Sequence, residues 1–111
     1  MNMMHARRAY QMTRQAMDPR EQEADVIRRV TGALKAALET EGIARARAIA
    51  DNRRLWIALD ASLRHPANQL PMETKLNILR VGRVVMQEME NTVPDLGFLI
   101  EVNEHLASGL R

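Results

Sequence analysis

Apolar residues recur along this chain at steps of three and four, and nowhere do they alternate over a useful length. Three to four is the helical period, so the pattern predicts helices and no strands. The clearest run is "MDPREQEADVIRRVTGALKAALETEG". Asp18 stands where an N-cap belongs, Pro19 at the first helical position, and Glu21 three residues after Asp18. This is a capping-box arrangement, with proline where its missing N–H is harmless. Behind it, Val26, Ile27, Val30, Ala33, Leu34, Ala37 and Leu38 form one apolar stripe, and Gly42 marks a stop or bend. A second helix is predicted from Ala44 to about Arg64, with Ile49, Asn52, Trp56, Leu59 and Leu63 on one face and Pro66 just beyond its end.

The link "HPANQLP" separates that helix from a third, predicted from Pro71 to about Asn91. Its apolar residues, Leu76, Ile78, Leu79, Val81, Val84, Val85, Met86 and Met89, cover most of its circumference. Only a narrow polar strip remains, chiefly Glu73, Asn77, Arg80 and Gln87. Such a helix is either central in a bundle or keeps one side for a partner. "NTVPD" ends it, and a last helix carries Leu96, Leu99, Ile100, Asn103 and Leu106. Upstream, "HARRAYQMTRQAM" reads as a short helix or an ordered arm, so residues 1–17 are expected as a mobile arm or a short helix. Short links between long amphipathic segments predict a single all-α domain over residues 1–111, a small antiparallel helical bundle of four to five helices.

Composition narrows the function more than the fold. With 46% hydrophobic residues there is material for a core, and 27% charged residues is ordinary for a globular surface. Three aromatic residues and eight methionines mean a core and surface of flexible aliphatic side chains, suited to irregular gaps and to partner helices. Residues 1–54 carry 11 Lys and Arg against 7 Asp and Glu, and residues 55–111 carry 5 against 7. That mild bias falls short of a nucleic-acid footprint. The pairs Arg7/Arg8, Arg28/Arg29 and Arg53/Arg54 do not change this, because neighbouring helix positions point about 100° apart. Stacking aromatics are also too few for a single-strand platform.

Catalytic chemistry finds little footing. The chain has no cysteine, and His5, His65 and His105 are not paired at metal-ligand spacing. Glu101 and His105 stand four apart and read as an ordinary helix-surface pair. The five glycines are dispersed, so no phosphate-cradling loop is formed. The expectation is a protein that is not an enzyme and needs no cofactor or metal. The N-terminus lacks an apolar run of signal-peptide length, and nothing approaches the roughly 20 apolar residues needed to span a bilayer. A cytoplasmic location with no membrane contact is therefore expected.

The stretch "DNRRLW" sets Trp56 in the apolar seam of the second helix, Arg53 at its flank and Arg54 nearly opposite. Asn52 is the odd member of that seam and needs a hydrogen-bond partner if buried. A loop backbone near "NQLP" is the partner expected from the sequence.

The residues quoted above also carry a family likeness. "AYQMTRQAMDPREQEADVIRRVTGAL" at Ala9–Leu34, "DNRRLWIALDASL" at Asp51–Leu63, "NQLP" at Asn68–Pro71 and "LIEVN" at Leu99–Asn103 follow in order and cover most of the chain. The sequence resembles the flagellar biosynthesis regulator FlaF family of alphaproteobacteria. It departs from that family after "NQLP", where "NILRVGRVV" stands in place of a serine-leucine and tryptophan-valine pattern. The layout "AY…P…E" before a long helix is also similar to the FliS flagellin chaperones. The resemblance implies a non-enzymatic, all-helical protein of flagellum assembly, linked to flagellin production and export and to the translational repressor FlbT.

Its most direct form is a chaperone-like adaptor that covers an amphipathic terminal helix of flagellin. The alternative is control of flagellin translation through FlbT or flagellin messenger RNA, without flagellin contact. A homodimer built on the apolar third helix is a further possibility. For the adaptor, Tyr10 and Met12 are expected to line or occlude a groove. Val81, Val85 and Met89 are expected as its floor, and Arg53 and Arg54 as rim charges.

Overall fold

Helix α1 begins at Pro19, and the computed structural model describes the chain from there to Gly109. Asp18 and the arm or short helix expected over residues 1–17 lie outside the described residues, as does the side chain of Glu21. Four helices follow one another, α1 (Pro19–Ala37), α2 (Ile43–Arg64), α3 (Met72–Met89) and α4 (Leu96–Gly109). The all-α expectation is borne out, with no strand among the described residues.

Each break has a local cause. Gly42 takes φ 76°, ψ −138°, a conformation open to glycine and strained for other residues, and α2 starts on the next residue. His65 precedes Pro66, which bars it from helical geometry, and it leaves α2 extended at φ −69°, ψ 133°. The link to α3 is organised by Asn68, whose Nδ2 donates to the Ser62 carbonyl at 3.1 Å. Its Oδ1 accepts from the Leu70 amide at 3.0 Å, and its carbonyl accepts from Lys75 Nζ at 2.7 Å. At the start of α4, Asp95 Oδ1 accepts from the Phe98 amide at 3.1 Å, an N-cap the chain pattern had not singled out.

The core runs through all four helices. Ile27 and Leu34 of α1, Val85 of α3 and Leu99 of α4 are fully buried, each worth about 1.5–3 kcal/mol relative to exposure. The buried face of α1 is Ala24, Ile27, Thr31, Leu34 and Ala37. Thr31 sits on it because its hydroxyl donates to the Ile27 carbonyl at 2.6 Å. Ala33 and Leu38, placed on the stripe by spacing, are exposed.

Helix α1 packs chiefly against α4 and then α2, while α3 is joined mainly to α2. The molecule is 20 Å across its thinnest direction, which is two layers of helices. The third helix therefore lies at an edge and not at the centre. Only Val85 and Met89 of α3 are buried, whereas Met72, Leu76, Val81 and Val84 are exposed. Its unusual apolar coverage is explained by sides left open.

Candidate partner-binding groove

Trp56 is the point from which the open side of the molecule is built. It is buried where α2, α3 and α4 meet, and its position depends on a residue from each neighbouring helix. From α4, Asn103 Oδ1 accepts the indole Nε1–H at 3.0 Å. From α3, Gly82 lies against the ring, so close that a methyl group at 82 would stand 3.2 Å from its Cε3 atom.

The indole can only donate, so Asn103 must turn its oxygen to it and its amide nitrogen away. That nitrogen donates to Asn52 Oδ1 at 2.8 Å, and Asn52 Nδ2 in turn reaches Met89 Sδ at 3.4 Å. One donor-only ring thus sets the sense of a buried chain across three helices. The expected loop partner of Asn52 is replaced by Asn103, and Asn68 bonds within its own loop instead. No buried side-chain nitrogen or oxygen among the described residues is left without a partner.

Beyond Trp56, an open trough of about 550 Å³ lies between α3 and α4. Its apolar walls are Leu70, Ile78 and Val81 on one side and Phe98, Val102 and Leu106 on the other, with Trp56 at the base. Thr74, Asn77, Glu101 and His105 supply the polar margin. The lined portion of α3, Thr74–Val81, is about 10 Å long and that of α4, Phe98–Gly109, about 17 Å, so the trough accommodates two to three turns of a helix.

The residues singled out from sequence fall into different places. Val81 is 40% exposed and lines the trough as expected. Val85 and Met89 do not form its floor, because they are 0% and 3% exposed and packed into the core. Arg53 is half-buried and donates from Nη2 to the Met89 carbonyl at 3.4 Å, serving the C-terminus of α3 more than any rim. Arg54 points to solvent and pairs with Asp51 at 2.9 Å, away from the trough. Tyr10 and Met12 lie outside the described residues.

Of the wall residues only Val81 was expected in the groove; Leu70, Ile78, Phe98, Val102 and Leu106 were not assigned to it. A signal existed, since Phe98, Val102 and Leu106 recur every fourth residue beside the core stripe of α4. Among the described residues no cluster of His, Asp or Glu is placed to hold a metal ion, and no helix is long and apolar enough to cross a membrane.

Compared with known protein families, residues 6–110 match the flagellar protein FlaF. The chain belongs to the FlaF family. Membership places it in flagellar biogenesis and takes in every helix described here, the trough between α3 and α4 included. No curated protein and no solved structure matches the chain.

Proposed function

We propose that this FlaF-family chain holds an amphipathic terminal helix of flagellin in the trough between α3 and α4, as a non-catalytic adaptor in the cytosol that favours flagellin production and export. The observation that carries this reading is the trough itself. It is apolar from Leu70 to Leu106, edged by a few polar groups, and sized for two to three helical turns. An exposed patch of this kind is a liability unless a partner covers it. A flagellin segment that is amphipathic and helical in the filament presents the matching face in its unassembled state. Covering that face requires apolar contact and register, and no reactive group or cofactor.

The test is calorimetric titration of the chain with monomeric flagellin from the same organism, repeated with flagellin lacking either terminus. Saturable one-to-one binding, lost on removing one terminus, is the expected result. Absence of binding at micromolar concentrations, with both proteins folded, would instead favour regulation through FlbT without flagellin contact.

A further inference from the structure

We propose that the trough between α3 and α4 has an occupant within the chain, the segment upstream of α1, which covers it until a flagellin helix displaces it. That segment joins the fold at the end where the trough opens. Lys35 of α1 pairs with Glu104 of α4 at 2.8 Å, and Arg28, two turns earlier, shares a surface notch with Ser108, one turn later. The two helices are therefore antiparallel, and α1 starts at the end of the molecule where α4 finishes. The trough opens at that same end, between Leu70, just ahead of α3, and Gly109, the last residue of α4.

The upstream chain is long enough to reach it. Pro19 stands nine residues before Arg28, about 13 Å further out along the helix axis. The residues from Gln11 to Asp18 can span about 26 Å. That length returns over the 13 Å and crosses the roughly 10 Å width of α4. Ahead of it, Met3, Ala6 and Tyr10 share one helical face at steps of three and four, with Ala9 beside them and Arg7 at the flank. As a helix, Met3–Tyr10 is about 12 Å long, two turns, which the trough accommodates.

Charge favours this occupant. Residues 1–17 carry Arg7, Arg8 and Arg14 and no acidic residue. No Lys or Arg lines the trough, and its one carboxylate, Glu101, is exposed and without an ion-pair partner among the described residues. With Tyr10 at the mouth, Arg7 comes one turn further in, toward the stretch of α4 that carries His105 and Glu101. A second copy fits less well, because two open troughs set face to face leave both unfilled. Tethering supplies the rest. A short linker holds the segment at an effective concentration in the millimolar range, so a two-turn anchor of modest affinity suffices. Flagellin then binds only the uncovered fraction, and its apparent affinity falls accordingly. This competition rests on the flagellin reading, whereas the cover itself does not.

The test uses the full chain, which has no cysteine, so His5→Cys takes a single nitroxide label. In the isotope-labelled protein the amides of Val81, Val102 and Leu106 should broaden, while those of Arg29 and Ala33 on the exposed side of α1 stay sharp. Glu101→Arg should remove most of that broadening, and Arg7→Glu added to it should restore it. Broadening spread evenly or confined to other surfaces, or no response to Glu101→Arg, would overturn the proposal. So would broadening at the trough caused by a separate spin-labelled chain, which means a second copy.

Adding flagellin separates the two readings. Loss of the broadening as flagellin binds is the expected result, and Tyr10→Ala should tighten flagellin binding about threefold or more by removing its competitor. Weaker binding by that variant would make Tyr10 part of the flagellin site and overturn the cover. Broadening that persists beside bound flagellin keeps the cover and moves flagellin off the trough. Flagellin binding at the trough with no broadening in the free chain overturns the cover and keeps the flagellin reading.

Discussion

At the scale of single residues, a buried polar chain crosses an otherwise apolar core. Asn103 completes two bonds at once, from the Trp56 ring and to Asn52. Asn103→Ala leaves a buried indole N–H and a buried amide oxygen unpaired, and an unpaired buried group costs about 1–3 kcal/mol. Urea denaturation of that variant is expected to show a loss of about 2–4 kcal/mol. Asn52→Ala strands only the Asn103 amide, so a smaller loss of about 1–2 kcal/mol is expected in the same assay. Part of this was legible in the chain. Asn52 announces itself as a polar residue on an apolar helical face, and burial obliges it to find a partner. The partner itself lies 51 residues away, and periodicity on one helix says nothing about which helix will face it.

Among the elements, α3 illustrates the same division. Its existence, its bounds to within a residue or two and its excess of apolar side chains are all readable from spacing. Whether that excess is enclosed or open is not, since a central helix and an edge helix share one composition. The structure separates the two along its length: Val85 and Met89 are inside, and Val81 is at the wall of the trough. Val85→Asp is expected to abolish folding, because a fully buried carboxylate has no partner there. Val81→Asp should keep the native circular dichroism spectrum and melting transition while weakening flagellin binding by at least about tenfold. Similar loss of structure in both variants would place Val81 in the core.

Glycines on two helices give a second comparison. Gly32 on α1 has nothing within 4 Å of an added methyl group, so Gly32→Ala should raise stability by about 0.5–1 kcal/mol. Gly82→Ala meets a ring pinned by Asn103 at 3.2 Å, and the gain in helix propensity should be cancelled or reversed. Thermal melts of the pair read the difference directly. A glycine on the core side of an apolar helix is itself a sequence signal of close approach, though it does not name what approaches.

For the molecule as a whole, thickness decides how firmly each part is held. At 20 Å across there is one buried seam, and it is densest where α1 meets α4. Native-state hydrogen exchange should therefore find its slowest amides around Ile27, Leu34 and Leu99. The first two turns of α3 carry no buried side chain and should open earliest, well below the global unfolding free energy. Comparable protection across α3 and α4 would contradict that order. In the proposed role as an adaptor, opening at this edge would keep the trough adaptable without loosening the seam.

The position of Trp56 has one more consequence, and it is optical. The chain holds a single tryptophan, and that ring is enclosed, hydrogen-bonded and bordered by both flanks of α3. Its fluorescence should be blue-shifted in the native state and move to the red on unfolding, with no label attached. Because the ring stands at the base of the α3–α4 trough, a helix docking there, as proposed, should alter the light it emits.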